Sequence, residues 1–237
     1  MKQSTLNDSQ LRIIAFYLPQ YHEIPENNEW WGDGFTDWVN VKKAKPLFSG
    51  HIQPKKPHAD IGYYNLLDIE TIVKQTEIAK NYGINGFCFY HYWFKGKKLL
   101  EKPFENVLKL KKPDFPFCLC WANEPWARTW DGRDYDVLQK QAYGDEKEWR
   151  EHFQYILPAL RDERAIKIDG KPIFLIYRIE HMDRHANEMI SLWRKEAKKE
   201  GLRDLYIISM LNNKFTDSKI RAFDIDAVCE FFPPPVQ

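Results

Sequence analysis

Residues 117–132 read FCLCWANEPWARTWDG, and the organisation of the whole chain can be worked out from this stretch. Its first four residues are an apolar run of the kind that forms a buried strand in a parallel sheet. Three tryptophans, one asparagine, one arginine and two acids follow within one short loop. Polar and aromatic side chains directly after a strand are typical of the mouth of a (β/α)₈ barrel, where active sites are built.

Similar apolar runs recur along the chain and alternate with segments of helical periodicity. The predicted strands are residues 12–18, 84–90, 117–120, 173–177, 205–210 and 227–231, and the predicted helices are residues 67–82, 96–112, 145–161 and 187–200. This alternation predicts parallel βαβ units. No GxGxxG or GxxxxGK[ST] sequence follows any strand, which argues against a dinucleotide-binding or P-loop fold. We therefore predict an α/β fold, a (β/α)₈ TIM-type barrel that is incomplete, with about six of its eight strands.

The bulk composition indicates a globular protein and limits its partners. The chain has 237 residues, 43% of them hydrophobic, which fits a single barrel domain over residues 1–237. Its net charge is +1 and it has no basic stripe, which argues against nucleic acid as a partner. The N-terminus has no apolar signal region, so we expect a cytoplasmic location. No apolar run is long enough to span a membrane, so we expect no transmembrane segment. We also expect no cofactor. The oligomeric state is not predicted.

The four cysteines are Cys88, Cys118, Cys120 and Cys229, and each lies in a predicted strand among apolar neighbours. This placement predicts reduced, buried thiols. The spacing of Cys118 and Cys120 is not that of a zinc site, so no metal is expected.

An aromatic content of 15% and the polar clusters after successive strands point to a glycan as the ligand. Aromatic rings stack on the faces of sugar rings, whereas carboxylates, amides and guanidinium groups hydrogen-bond to hydroxyls. The candidate substrate-binding residues are Tyr17, Tyr21, His22, Asp33, Asp37, Trp38, His91, Tyr92, Trp93, Trp121, Asn123, Trp126, Arg128, Trp130, Asp131, Arg178 and Glu230.

Several of these residues also have a purely structural interpretation. Glu124 is the candidate catalytic residue, and we expect it to bind sugar hydroxyls rather than to transfer a proton. His91 is either a ligand-binding residue or a satisfied core histidine, and Arg178 binds a ligand or pairs with Glu180. Asp33 and Asp37 lie in the long segment between the first predicted strand and the first predicted helix, and each is either a ligand or a turn former. The tryptophans of the opening stretch line a sugar site or plug the barrel rim.

Four motifs together resemble one known family. They are YLPQYH at residues 17–22, GFCFYHYWF at residues 86–94, CLCWANEPWARTWDG at residues 118–132 and PIFLIYR at residues 172–178. The sequence resembles the WbsX-type proteins, glycosyltransferases of bacterial surface-polysaccharide clusters, which are related to the endo-α-mannosidases of glycoside hydrolase family 99. The resemblance covers nearly the whole chain. It implies a (β/α)₈ barrel that acts on a bacterial glycan in a lipopolysaccharide or O-antigen type pathway.

The sequence departs from that family pattern at two places. The mannosidase relatives carry a pair of catalytic glutamates in a late NEWxEG-type motif, and no such motif is present here. The resemblance therefore implies that the last barrel strands and the main catalytic pair lie beyond Gln237. In addition, Pro125 replaces the second asparagine of the usual ANENW sequence. Two function classes stay open, an enzyme of glycosidic bonds (hydrolase or transferase) and a non-catalytic glycan-binding or inactive barrel.

Overall fold

The computed structural model describes residues 11–128, 132–183, 185–211 and 220–230. The strands are β1 (Ile14–Tyr17), β2 (Gly86–Phe94), β3 (Lys97–Leu99), β4 (Phe117–Trp121), β5 (Trp126–Arg128), β6 (Arg133–Gln139), β7 (Lys167–Ile168), β8 (Lys171–Ile176), β9 (Tyr206–Leu211) and β10 (Ala227–Glu230). The helices are α1 (Pro25–Trp31), α2 (Asp37–Lys43), α3 (Ile69–Asn81), α4 (Lys102–Leu110), α5 (Glu146–Arg161) and α6 (His185–Lys199), with a 3₁₀ helix at Ile179–Met182.

The main sheet follows the strand order β1-β2-β4-β8-β9-β10, and all five neighbouring pairs are parallel. Helices α1, α2 and α3 lie between β1 and β2, α4 lies between β2 and β4, α5 between β4 and β8, and α6 between β8 and β9, as in consecutive units of a (β/α)₈ barrel. The predicted incomplete barrel of six strands is confirmed. Two short antiparallel strands are added to this sheet, where β3 pairs with β2 and β7 pairs with β8. Strands β5 and β6 form a separate antiparallel hairpin.

The two faces of the sheet carry different side chains, because successive residues of a strand point to opposite sides. The outer face packs against the helices, with Phe87, Leu119 and Phe174 in one core with Phe153 of α5 and Trp193 of α6. The inner face carries a smaller cluster that consists largely of thiols and aliphatic groups: Cys88, Cys118, Cys120, Ile166, Leu175 and Met210. A residue's position along a strand therefore decides whether it meets the helix layer or the barrel interior.

The second predicted strand and the helix after it have different bounds in the structure. β2 continues to Phe94 instead of ending at residue 90, since residues 97–99 turn back and pair with it as β3. The basic helix predicted at residues 96–112 is α4, which spans only Lys102–Leu110. Residues 91–93 thus belong to the strand and alternate between its two faces.

Helix α5 begins as its sequence predicts. Asp145 accepts hydrogen bonds from the backbone amides of Lys147 and Glu148, and the Glu148 carboxylate accepts one from the Asp145 amide. This capping box satisfies amides that otherwise lack a partner in the first turn. It fixes the chain at the end of the loop that leads from β6 into α5.

The long connection between β1 and α3 is ordered by aromatic contacts at the sheet's carboxyl end. Trp38 of α2 donates a hydrogen bond from Nε1 to the carbonyl of Tyr64, at 2.8 Å. The Tyr21 ring packs 4.4 Å from that of Trp38 and 5.1 Å from that of Tyr64. Helices α1 and α2 are thereby held beside the strand ends that form the barrel mouth.

The predicted state of the cysteines is confirmed. Cys88, Cys118 and Cys120 are buried, Cys229 is half-buried, and all four are free thiols. Among the described helices, none has both the length and the apolar character that crossing a membrane requires.

Candidate functional site

A cleft of about 430 Å³ opens on the inner face of the sheet at the carboxyl ends of the strands. Strands β1 and β2, the loop after β4, the first residue of β5 and the residue after β8 supply its walls. The lining residues are Phe16, Leu18, Tyr90, Tyr92, Ala122, Glu124, Pro125, Trp126 and Tyr177. Size, aromatic walls and one carboxylate are the properties of a small-molecule or saccharide pocket.

An ion pair joins the two loops that follow β4 and β8. The Arg178 Nε donates to Glu124 Oε1 at 2.6 Å, and Arg178 Nη1 lies 3.7 Å from Glu180 Oε1. The guanidinium also lies over the ring of Tyr177, with 4.9 Å between Cζ and the ring centroid. Of the two predicted roles of Arg178, the structure shows pairing, with Glu124 as the nearer partner. The Glu124 side chain stays 38% exposed, so its carboxylate is accessible from the cleft.

Asn123 holds these two loops together through its side chain. Its Oδ1 accepts from the Arg178 amide at 2.7 Å, and its Nδ2 donates to the Arg178 carbonyl at 2.7 Å and to Tyr143 Oη at 3.1 Å. Tyr143 in turn donates to the Asn123 carbonyl at 3.0 Å. Asn123 is completely buried. The prediction that it binds substrate is wrong, because both ends of its carboxamide are already used to position the backbone.

Aromatic rings form the walls of the cleft. Tyr90 stacks on Phe16 at 5.5 Å and meets Tyr177 edge-on at 6.0 Å. Trp126 makes T-shaped contacts with three rings. The distances between ring centroids are 5.1 Å to Tyr92 and 5.9 Å to both Trp30 and Phe94. A ring fixed on several sides loses little further conformational entropy when a ligand stacks on it.

A second cavity of about 200 Å³ lies next to the cleft and shares Pro125 and Trp126 as its wall. Its other lining residues are Gln20, Asn27, Trp31, Asp37, Leu100, Ala127 and Leu138. Burial raises the pKa of Asp37 to about 6, although the hydrogen bond from its own backbone amide lowers it. Asp37, predicted as a site residue, therefore lies at a cavity adjoining the cleft.

His91 does not lie in the cleft, and its predicted convergence with Glu124 is wrong. Its side chain points to the helix layer, where its Nε2 lies 2.7 Å from His152 Nε2 of α5. Burial, and to a lesser degree Lys98, lowers the pKa of His91 to about 3. Burial also lowers the pKa of His152. Both rings are thus neutral near pH 7, and His91 is a core histidine.

Three further predicted site residues face the helix layer with His91. Trp93 stacks on His152 at 4.7 Å, and Trp121 meets the same imidazole edge-on at 4.7 Å. Tyr17 packs on Phe87 and hydrogen-bonds to the side chain of Gln75. All three are buried in the outer core. Their prediction as substrate-binding residues is corrected, because each points away from the inner face.

The remaining predicted residues lie around the mouth or beyond it. Tyr21 and Trp38 form the rim cluster with Tyr64 described above. His22 is 1% exposed, and burial lowers its pKa. Arg128 pairs with Asp136 at 3.1 Å and lies over the Trp31 ring at 4.9 Å. None of these side chains lines the cleft.

Asp33 and Glu230 are exposed, and Trp130 and Asp131 lie outside the described residues. Asp33 belongs to the turn between α1 and α2, whose Gly32 and Gly34 have positive φ, so it takes the turn role. Glu230 is the last residue of β10 and alternates with Cys229, which packs on the inner face. Glu230 therefore points away from the interior, and its predicted place in the mouth is wrong.

Sequence reasoning missed Tyr90, Tyr177 and Phe16 as walls of the cleft, and Gln20 and Asn27 in the second cavity. The signal for the first three was available. Tyr90 and Tyr92 are two residues apart and share a face, whereas His91 lies between them and points to the other side. No local pattern distinguished Gln20 and Asn27, which come together only through the fold.

The model of the family described as "Glycosyltransferase WbsX" matches residues 13–237 of this chain. The chain belongs to the WbsX glycosyltransferase family. The WxcX proteins of two Xanthomonas campestris pv. campestris strains are both 39% identical to it over 221 residues, which cover 93% of this chain and 31% of theirs. This WbsX-family chain thus spans about a third of the length of these curated relatives.

The fold is similar to that of solved glycoside hydrolases. Two structures of the GH99 endo-α-mannosidase from Bacteroides thetaiotaomicron match with TM-scores of 0.53 and 0.55 at 15% and 16% identity. These matches cover 93% of this chain and 59% and 61% of the mannosidase chains. A structure titled "Glycoside hydrolase-like protein" matches with a TM-score of 0.52 at 16% identity, over 81% of this chain and 63% of that chain. At such identities the similarity establishes the barrel fold.

Proposed function

We propose that the cleft between β1, β2, β4 and β8 binds a saccharide, and that this WbsX-family chain belongs to an enzyme that makes or breaks glycosidic bonds in a bacterial surface polysaccharide. The observation that carries the proposal is the Glu124 carboxylate, which lies among aromatic walls at the carboxyl ends of parallel strands and accepts a hydrogen bond from Arg178. Membership of a glycosyltransferase family and the glycoside hydrolase fold support it. The family resemblance favours a polysaccharide of the lipopolysaccharide or O-antigen type.

The geometry suits recognition of sugar hydroxyls. A carboxylate only accepts hydrogen bonds and a guanidinium only donates them, so the pair offers both kinds of partner to hydroxyl groups. Tyr90, Tyr92, Tyr177 and Trp126 add flat apolar surfaces with polar edges. These contacts position a sugar ring at the mouth with its hydroxyls toward Glu124.

Glu124 serves as a hydroxyl ligand rather than as the proton donor. Its Oε1 already accepts a hydrogen bond from Arg178 Nε at 2.6 Å, so the carboxylate is positioned as an acceptor of hydrogen bonds. Glycoside hydrolysis usually takes two carboxyl groups that flank the bond, about 5–9.5 Å apart. Glu124 is the only carboxylate among the described residues that line this cleft.

That single carboxylate favours a second candidate, glycan binding without turnover. The two candidates share the same site and differ in whether bonds are formed or broken. Incubation of the full chain with a bound oligosaccharide, followed by mass spectrometry of the products, separates them. A changed saccharide mass distribution supports the enzyme, and an unchanged one supports binding alone.

Binding is tested on an array of bacterial and mannose-containing oligosaccharides with the full 237-residue chain. Trp126→Ala removes a stacking wall and should abolish binding of the saccharides that the wild-type chain retains. Glu124→Gln keeps the shape of the side chain, removes its charge and should weaken binding. The matched controls are Glu77→Gln and Tyr82→Ala, exposed positions away from the cleft that should leave binding unchanged. Binding of no saccharide by the wild-type chain, or equal binding by the Trp126 variant, would refute the proposal.

A further inference from the structure

The cavity behind Trp126 has the features of a binding site in its own right. Its volume is about 200 Å³, and it is lined by the indoles of Trp31 and Trp126 and by apolar residues that include Leu100 and Leu138. Three polar side chains from different segments reach it: Gln20 after β1, Asn27 in α1 and Asp37 at the start of α2. Polar groups that converge on a small aromatic cavity are the usual arrangement of a specific ligand site.

Among the residues that the structure describes, these three side chains have no partner outside their own residue. Within the described residues, no side-chain hydrogen bond or ion pair is made by Gln20, Asn27 or Asp37, apart from the contact of Asp37 with its own backbone amide. Asn27 is only 6% exposed. A carboxamide buried to this degree is normally hydrogen-bonded, because leaving it unpaired forfeits its interaction with water. The cavity thus offers unused donors and acceptors that a ligand can satisfy.

Asp37 adds a carboxyl group that forms no ion pair with a cation in the described part of the chain. Its pKa is raised to about 6 by burial, so both protonated and ionised forms are present near neutral pH. Such a group can donate a hydrogen bond as well as accept one. A sugar hydroxyl, which also does both, is a suitable partner for it.

Trp126 separates this cavity from the main cleft and is fixed in place. The edges of Trp30, Tyr92 and Phe94 hold its indole, and its backbone belongs to the β5–β6 hairpin. Both cavities share Trp126 and Pro125 as lining residues, so they are neighbours on either side of one wall. A ligand that bends around this wall reaches both.

We propose that the cavity lined by Gln20, Asn27 and Asp37 is a second saccharide subsite, and that the ligand is a chain of at least two linked pyranose rings that passes Trp126. This inference rests on the proposed saccharide binding in the main cleft. One ring occupies the cleft beside Glu124, and the next presents its hydroxyls to Asn27, Gln20 and Asp37. The unit of recognition is then a disaccharide rather than a single sugar.

The test compares affinities for monosaccharides and oligosaccharides in the full chain. An array of methyl hexopyranosides, hexopyranosyl disaccharides and trisaccharides identifies ligands, and calorimetry measures their dissociation constants. The wild-type chain should bind its best disaccharide at least about tenfold more tightly than either component methyl glycoside, the gain expected from a few added hydrogen bonds. Asn27→Leu and Asp37→Asn should remove most of that gain and leave monosaccharide affinity unchanged.

Asp33→Asn is the matched control, since Asp33 is exposed in the same segment and lines neither cavity. Circular dichroism confirms folding, and Asp37→Asn keeps the test valid if Asn27→Leu does not fold. Equal affinity for monosaccharides and disaccharides, or equal loss of both in the cavity variants, would overturn the second subsite while leaving saccharide binding in place. Failure of the wild-type chain to bind any saccharide would overturn the proposed function, and the subsite with it.

Discussion

The buried imidazoles of His91 and His152 should make the protein less stable as the pH is lowered from 8 to 5. The two Nε2 atoms lie 2.7 Å apart in the layer between β2 and α5. Trp93 stacks on His152, and Trp121 and Trp193 meet the same ring edge-on. A proton added to this pair has to be accommodated in a buried aromatic layer, so the folded protein resists protonation.

The size of the effect follows from the pKa of His91, which is about 3 in the folded protein against an ordinary value of 6.5. Below pH 6.5 the unfolded chain binds a proton at this position and the folded protein does not, so stability falls as the pH decreases toward 3. At pH 5, which is about 1.5 pH units below the ordinary histidine pKa, His91 alone should lower the free energy of unfolding by ~2 kcal/mol. The pKa of His152 is lowered in the same direction, which increases the loss. Against a typical total of ~5–15 kcal/mol this is a large change.

Urea denaturation at pH 8, 7, 6 and 5 measures the free energy of unfolding. The double variant His91→Leu/His152→Phe removes both titrating rings and keeps the layer apolar. Between pH 8 and 5 its free energy of unfolding should therefore fall by ~2 kcal/mol or more less than that of the wild-type protein. His58→Gln is the control, because the His58 side chain is 77% exposed. Asp37, whose pKa is raised to about 6, contributes in the opposite direction, which is why the comparison is between variants. Equal pH dependence in the wild-type and the double variant would refute the burial argument.

Three further outcomes are expected. Under the proposed function, in which Glu124 binds hydroxyls, Glu124→Gln should mainly raise KM; a fall in kcat of ~10²-fold or more would instead show proton transfer. Asn123→Leu should lower the free energy of unfolding by ~2–4 kcal/mol in urea denaturation, because it leaves buried partners of several hydrogen bonds unpaired; a change under ~1 kcal/mol would contradict the clamp between the two loops. A thiol reagent added to the native protein should modify Cys229 far faster than the three buried thiols. Burial also raises the pKa of Cys88, which keeps this thiol protonated. Rapid reaction of all four thiols would show that the inner face is open to the reagent.

The order of strands and helices could be predicted because each central strand is a short apolar run bounded by turn residues. Residues 117–120, for example, form most of β4, whose five residues are all buried. The prediction for His91 and Trp93 failed, whereas Tyr92 does line the cleft, because residues 91–93 were placed after the strand, where no alternation applies. Once β2 is extended to Phe94, the period of two places His91 and Trp93 on the helix side and Tyr92 on the inner side.

The contacts inside the site could not be predicted from the sequence in the same way. Arg178 has Glu180 two residues away, but its closer partner is Glu124, which precedes it by 54 residues. The choice between them depends on how β4 and β8 are placed side by side. Likewise the position of the Asn27 carboxamide, which has no partner among the described residues, depends on the placement of α1 beside the β5–β6 hairpin. Such pairings are set by tertiary geometry, which local patterns do not contain.

The hydrogen bonds of Asn123 have a consequence for how this scaffold can be changed. They fix the backbones of two loops without using the side chains of the residues beside them, Glu124 and Arg178. The side chains at positions 124 and 178 can therefore be exchanged while the main chain that carries them keeps its position. A library that keeps Asn123 and Tyr143 constant and varies these neighbours should yield many folded proteins with altered ligand preference. A library that varies Asn123 should lose most of its members to misfolding.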